Sequence, residues 1–309
     1  MTHDGRVIAP EDLATWSDGG RRLVAFVGVD TSGSRIHQEF PAWAARLGRP
    51  EWVLRGVDLP TTTPAATYRD LVDAIAANPQ IAGAVVTSHK LRLYRAAAAR
   101  LRSIDAFAEL TLEVNALARR DDGVGGGVVD GFARDPLALA AVVHRLDPAG
   151  RDVVVYGAGG AGTALLLALT LDESRRPRTI TVIDSDDGAL AAFRATADRC
   201  GLLDDRLHLL AAGDGDSDSA TTRIPEHALV VNATGLGKDR PGSPLPPGTV
   251  LPASATAWDF NYRGDLTFLA DARAQGATAV DGWDYFVAGW AAALTAIAGV
   301  PFTAGMLPD

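Results

Sequence analysis

The chain has 309 residues, and 47% of them are hydrophobic against 22% charged, a balance that excludes wholesale disorder and leaves room for two domains at roughly 100–200 residues each. A net charge of -9 excludes the basic surface of a nucleic-acid binder. No apolar run approaches the ~20 residues of a membrane span, no basic-then-apolar leader opens the chain, and a single cysteine, Cys200, excludes a disulfide framework and fits a reducing cytoplasm.

Strand and helix signals alternate in chain order. Residues 23–29 form a short apolar run and read as a buried strand. A helical pattern follows in Ile36, Phe40, Trp43 and Leu47, but Pro41 moves its expected start to Phe40. Strand at 52–59, helix at 65–77, strand at 83–87 and helix from Lys90 to about 101 come next, then short strands at 115–119 and 127–129. The second half reads as helix 132–145, strand 152–156, helix 163–171, strand 179–183, helix 188–199 and strands 207–211 and 228–232. Residues 213–223 read as a polar surface loop. Strand 256–260, helix 266–275, strand 277–280 and an apolar helix 283–298 complete the chain. Repeated strand–helix units imply an α/β fold with parallel sheets and right-handed crossovers.

Gly157-Ala158-Gly159-Gly160-Ala161-Gly162 satisfies G-x-G-x-x-G in the context that gives the motif meaning, an apolar strand before it and a helix after. The first glycine permits the turn, the second lets backbone approach a pyrophosphate, and the third admits close helix packing. Free N–H groups at the helix start favour an anion. Asp184 closes the next strand, 22 residues beyond Gly162, near the spacing of an acid that bonds the ribose 2′-hydroxyl. Ser185, Asp186 and Asp187 supply no arginine for a 2′-phosphate, so NAD is preferred and NADP is the lesser possibility. One of these aspartates can equally cap the following helix.

Only two of the 29 basic residues are lysines, Lys90 and Lys238. Arginine stays protonated, whereas lysine can exchange a proton. Lys90 opens a helix, where a cation opposes the helix dipole, so a solvated structural lysine is disfavoured there. Lys238 sits in a polar loop. The six histidines are scattered, with no H-x-x-x-H or H-E-x-x-H spacing, so no metal site is expected.

Several segments, in order, resemble the shikimate dehydrogenase family: residues 32–40 (SGSRIHQEF), Val86-Thr87-Ser88-His89-Lys90, Val114-Asn115-Ala116, Gly127-Val128-Val129-Asp130-Gly131, residues 231–237 (VNATGLG) and residues 259–269 (DFNYRGDLTFL). The resemblance implies an N-terminal α/β substrate domain (1–130 plus 284–309), a C-terminal Rossmann domain (131–283) and a last helix that returns to the substrate domain. It implies reversible oxidation of a cyclic hydroxy acid by NAD(P), with Lys90 and Asp130 as the dyad that handles the proton, in aromatic amino acid biosynthesis. The chemistry asks for such a pair, because ketone reduction leaves an alkoxide that must be protonated. Substrate contacts are implied for Ser32, Ser34, Thr87, Asn115 and Tyr262. Cofactor contacts are implied for the glycine motif, Asp184, Asn232, Ala233, Thr234 and Gly282. Ser and Asn also serve as caps and turns, so that reading stays open for Ser32, Ser34 and Asn115. The resemblance further implies a cytoplasmic monomer or homodimer with no membrane partner.

Departures from the family pattern concern the substrate. Arg35 stands where proline is usual, T-x-P-x-K is one residue short, and Val85 and Gly289 replace an asparagine and a glutamine that read ring hydroxyls. Two alternatives follow: a dehydrogenase of another carbocycle or cyclitol in secondary metabolism, or a nucleotide-sensing protein without turnover.

Overall fold

The computed structural model describes residues 6–212, 223–238 and 240–303, so most of the expected polar loop at 213–223 lies outside the described residues. The chain divides into two units. One runs up to Arg134 and resumes at Trp290, and the other is Asp135–Gly289.

The first unit holds a six-stranded sheet of order β2-β1-β3-β5-β6-β4. Its strands are β1 (Arg22–Gly28), β2 (Trp52–Asp58), β3 (Ile81–Val86), β4 (Ser103–Ile104), β5 (Ala116–Asp121) and β6 (Gly127–Phe132). β1 pairs in parallel with β2 and β3. The sheet is mixed rather than parallel, because β5 runs antiparallel to both β3 and β6. The reason lies in the loop: Asp122 Oδ1 accepts the N–H groups of Val124 and Gly126, folding the glycine-rich stretch into a hairpin turn.

One face of this sheet buries Ala25, Val27, Ala84, Val86, Leu117 and Val129 against α2 (Ala65–Ala77). Tyr68, Leu71, Val72 and Ile75 recur at helical spacing and are all buried, so α2 forms because that stripe has a sheet to cover. Extended Pro64 starts the helix, and Asn78 followed by Pro79 ends it. The opposite face meets the last helix, α9 (Trp283–Ala298), closely enough that a Cβ on Gly83 would lie 3.0 Å from Ile297 Cγ2. α1 (Ile36–Arg46) begins well before Pro41, contrary to the expectation above. Ser34 Oγ accepts the Ile36 N–H, and burial of Ile36 and Phe40 on one face outweighs the hydrogen bond that Pro41 forfeits. Two elements without a clear sequence pattern complete the unit with α3 (Lys90–Ala97): α4 (Ala106–Thr111), capped by Asp105, and the two-residue β4.

The second unit is a parallel sheet of order β12-β11-β10-β7-β8-β9, the doubly wound arrangement. Its strands are β7 (Asp152–Tyr156), β8 (Thr179–Asp184), β9 (Leu207–Ala211), β10 (Leu229–Asn232), β11 (Thr256–Asp259) and β12 (Thr278–Val280). Its helices are α5 (Asp135–Leu146), α6 (Gly160–Thr170), α7 (Asp187–Arg199) and α8 (Thr267–Ala274). Strand order reverses between β7 and β10, which opens a crevice at their carboxyl ends.

Candidate active site

In the second unit, the turn from β7 into α6 fills that crevice. Gly157 has φ +111°, and a Cβ there would lie 2.8 Å from the Ala233 carbonyl, so only glycine fits. A Cβ on Gly162 would fall 2.1 Å from the Gly157 oxygen, so this glycine lets α6 start close under the turn. A Cβ on Gly159 would meet nothing within 4 Å, which leaves the backbone open to an incoming group. α6 begins at Gly160 with no side-chain cap and no acid in its first turn. The N–H groups of Gly160, Ala161 and Gly162 therefore have no carbonyl of their own helix to bond. This donor set suits a pyrophosphate, so the residues fit a dinucleotide.

The aspartates divide their roles. Asp184 Oδ2 accepts the Ala158 N–H at 2.7 Å, which sets its carboxylate against the glycine turn. Asp186 caps α7 through the N–H groups of Gly188 and Ala189. Across the crevice, Asn232 is fully buried. Its Nδ2 donates to Leu236 O and Asp259 Oδ2, and its Oδ1 accepts the N–H and the hydroxyl of Thr234. It shapes the loop that presents Ala233 and Thr234 rather than offering itself. Burial pushes the Asp259 carboxyl up to about 6, against the opposing bonds from the Asn261 N–H and Asn232. Gly282 is buried, and a Cβ there would meet Phe260 O at 2.1 Å, so its necessity is one of packing. Tyr262 packs on Trp283 and Phe286. The Lys238 backbone lies against Gly264.

In the first unit, Thr87, Lys90 and Asn115 share the end of the sheet where β1 and β3 finish. Thr87 bonds Val27 O through both its N–H and its hydroxyl. The Lys90 N–H donates to Thr87 O, and Lys90 O accepts from Val114 N. Asn115 then bonds three ways: its N–H to Phe132 O, its carbonyl from Val86 N, and its Oδ1 from Arg134 N at 2.8 Å. Ser32 and Ser34 lie in the loop after β1, at the same end. Ser32 Oγ donates to Asp30, and Ser34 Oγ accepts from the α1 start, so both hydroxyls serve local turns here.

Asp130 is not with this group. It pairs with Ala118, which pairs with Gly83, three residues short of the β3 end, about 10 Å along the strand at ~3.3 Å per residue. Both oxygens are committed there. Arg102 donates to Oδ1 from Nε and to Oδ2 from Nη2, Ser103 Oγ donates to Oδ1 at 2.7 Å, and Arg120 Nε lies 3.7 Å from Oδ2. Burial raises this carboxyl, but the Arg102 and Ser103 bonds and the charges of Arg102 and Arg120 together hold it below the ordinary carboxylate value. The second sheet contains the same device. Asp152 on β7 receives Arg178 and Thr179 from the start of β8, just as Asp130 on β6 receives Arg102 and Ser103 from the start of β4. Asp130 thus forms a clamp with Arg102 and Ser103.

The carboxylate that follows the Asn115 cluster is Asp135, the buried first residue of α5, one position after Arg134. A helix start at Phe132 hides it in a helix interior. The signal that reveals it is Asp135-Pro136, an acid and a proline at a helix N-terminus. Among the described residues there is no group of three or more acidic, histidine or cysteine side chains that could hold a metal, and no helix is long and apolar enough to cross a membrane.

Known proteins resemble this chain in sequence and in fold. A shikimate dehydrogenase (NADP(+)) from Aromatoleum aromaticum is 35% identical over 177 residues, 53% of this chain and 54% of that protein. Over that stretch the chain is similar in sequence to shikimate dehydrogenases. The chain spans about half the length of the first curated relatives it matches, 54% and 47% for two of them. No family model matches. The fold is shared with a Listeria monocytogenes shikimate 5-dehydrogenase solved with shikimate and NAD (TM-score 0.71, 19% identity, 93% of this chain and 95% of that one). It is shared equally with a Corynebacterium glutamicum quinate dehydrogenase solved with NAD (TM-score 0.71, 22% identity, 92% and 96%).

Asp130→Asn should lower unfolding free energy by about 1–3 kcal/mol, less than a fully buried pair because Arg102 is half exposed. The carboxyl is depressed in the folded state, so its contribution is present above the unfolded value and lost as pH falls through the folded one. Urea unfolding of both proteins should therefore converge in acid. A constant difference down to pH 2 would contradict the clamp.

Proposed function

We propose that this chain is a nicotinamide-dependent oxidoreductase that interconverts an alcohol and a ketone on a cyclic hydroxy acid, shikimate or a close analogue. The observation that carries the reading is the convergence of Thr87, Lys90 and Asn115 at one sheet end, in a chain whose second unit has a dinucleotide crevice. When bound, NAD(P) supplies or accepts the hydride. Lys90 Nζ donates a proton to the oxygen of the ketone as it is reduced, and retrieves it from the hydroxyl in the reverse direction. We place Asp135, rather than Asp130, as the carboxylate that supports this exchange. Its position after Arg134, which Asn115 holds, favours the assignment.

Lys90→Ala should lower kcat by roughly 10²–10⁴, with nucleotide binding retained, and Lys90→Arg should restore little because guanidinium does not exchange its proton. Asp135→Asn should cause a comparable loss, while Asp130→Asn leaves kcat close to wild type. The reverse pattern for the two aspartates would return the role to Asp130.

Asp184 and the absence of arginine at 185–187 favour NAD over NADP, because a carboxylate at the end of β8 repels a 2′-phosphate. NAD should show the higher kcat/KM, and Asp184→Ala with Ser185→Arg should move the preference to NADP. Equal kcat/KM for both cofactors in the wild type would overturn this preference.

Among such substrates, a ring bulkier or less hydroxylated than shikimate is preferred, with weak activity on shikimate itself. Val85 pairs with Phe26 in the sheet, and Phe26 packs edge-on against Trp290, with centroids 4.9 Å apart. This surface offers no amide from Val85 to a ring hydroxyl. A Cβ on Gly289 would meet nothing within 4 Å, so this glycine is not required by a closely packed helix. Val85→Asn with Gly289→Gln should raise kcat/KM on shikimate by roughly 10-fold or more, since a site that bonds a hydroxyl discriminates through it. Melting temperature measured alongside separates a pocket effect from a folding defect, and family-typical efficiency of the wild type on shikimate would refute the altered specificity.

A further inference from the structure

Lys90 opens α3, and α3 has a weak beginning. Its cap residue, His89, makes no side-chain capping bond, no acid lies in the first turn, and the first residue is a cation set against the helix dipole. The turn Thr87-Ser88-His89-Lys90 contains no proline to fix a backbone angle. Something else must hold the lysine's backbone in one place.

His89 is fully buried, and both ring nitrogens are bonded. Nε2 lies 2.9 Å from Leu59 O, just past β2, and Nδ1 lies 2.8 Å from the hydroxyl of Tyr68 on α2. A carbonyl only accepts, so Nε2 carries the hydrogen, Nδ1 accepts, and Tyr68 donates. One neutral tautomer satisfies every group. Burial also disfavours the imidazolium, outweighing the bond to Leu59. The His89 carbonyl meanwhile accepts the first helical bond of α3, from Leu93 N at 2.8 Å. One ring thus joins the end of β2, the body of α2 and the start of α3, immediately beside Lys90.

We propose that His89, locked by Tyr68 and the Leu59 carbonyl, is a positioning residue that fixes where Lys90 leaves the sheet end. The proposal rests on the role given to Lys90 above. Apolar packing alone would need neither hydrogen bond, and a buried aromatic side chain would fill the space.

The scarcity of lysine supplies a test that does not depend on turnover. Reductive methylation with ¹³C-formaldehyde labels Lys90 and Lys238 besides the amino terminus, and Lys90→Arg assigns the signals. Tyr68→Phe keeps the ring and removes the donor, and His89→Gln keeps a donor for Leu59 while losing the ring. In both variants the Lys90 signal should shift or broaden while the Lys238 signal stays. With a substrate in hand, kcat should fall about 10-fold, the order expected when a reacting group is misplaced by a fraction of an ångström, with nucleotide KM nearly unchanged. If Tyr68→Phe folds and matches the wild type in both the Lys90 signal and kcat, the bond is only core packing and the proposal is overturned. Should His89→Gln fail to fold, Tyr68→Phe alone decides. A wild type inactive on every cyclic hydroxy acid with either cofactor would sink the proposed function, and the Lys90 signal would still decide the positioning role.

Discussion

Asn115 makes hydrogen bonds to both sides of the strand end it occupies, and the arrangement of the first unit's functional end depends on them. Its backbone bonds to Val86 on β3 and Phe132 on β6 hold those two strand ends level. Its Oδ1 then captures the N–H of Arg134, beyond β6, where no strand partner remains. The turn carrying Lys90 is joined on by the bond from Val114 N to Lys90 O. A buried backbone N–H left without an acceptor would cost about 1–3 kcal/mol, so this amide stabilises the turn as well as aiming it. An aspartate there could accept the same N–H, but it would bring a charge into a buried place.

Elsewhere each sheet is secured differently, by charge. Asp130 and Asp152 each face an arginine and a hydroxyl residue at the start of the adjacent parallel strand. A strand start leaves peptide groups without ladder partners, and a carboxylate bridging to arginine anchors it laterally. In the first sheet the device extends further. Arg120, near Asp130, donates to the carbonyls of Ala296 and Ile297, so it satisfies the C-terminus of α9 as well.

Much of this was legible in the sequence where the pattern was long or the backbone demand specific. α2 was readable to the residue because Tyr68, Leu71, Val72 and Ile75 give one uninterrupted stripe between Pro64 and Pro79. The glycine turn was readable because Gly157 and Gly162 each exclude a Cβ for a separate steric reason and Gly159 leaves the backbone open. The place of Asp130 within its strand was not legible, because short motifs do not fix register. In G-V-V-D-G the aspartate looks like a strand end, yet pairing with β5 continues through Phe132, and the helix starts only at Asp135. The role of His89 was invisible because its partners, Leu59 and Tyr68, are 30 and 21 residues away and meet only in the folded chain.

The two units reach the same solution at the ends of their strands by different wiring. Asn232 in the second sheet uses both ends of its amide, donating to Leu236 and Asp259 while accepting from Thr234. Asn115 bonds the backbone of the neighbouring strands. An asparagine suits both places because it offers donors and an acceptor without charge. The carboxyl beside Asn232 shows the cost of the alternative. Asp259 is fully buried beside donors from Asn232 and Asn261, no cation among the described residues is seen bonded to it, and its carboxyl rises to about 6. A group whose folded value exceeds its unfolded value of 3.8 favours the folded state in acid and disfavours it as pH rises through about 6. That difference of about 2 is worth on the order of 3 kcal/mol. Asp130 has the opposite sign, because arginine surrounds it. The contrast is local: Asp130 sits among arginines, whereas Asp259 is bonded by the neutral donors of Asn232 and Asn261, and a fixed cation beside it would draw the carboxylate out of the loop it shapes.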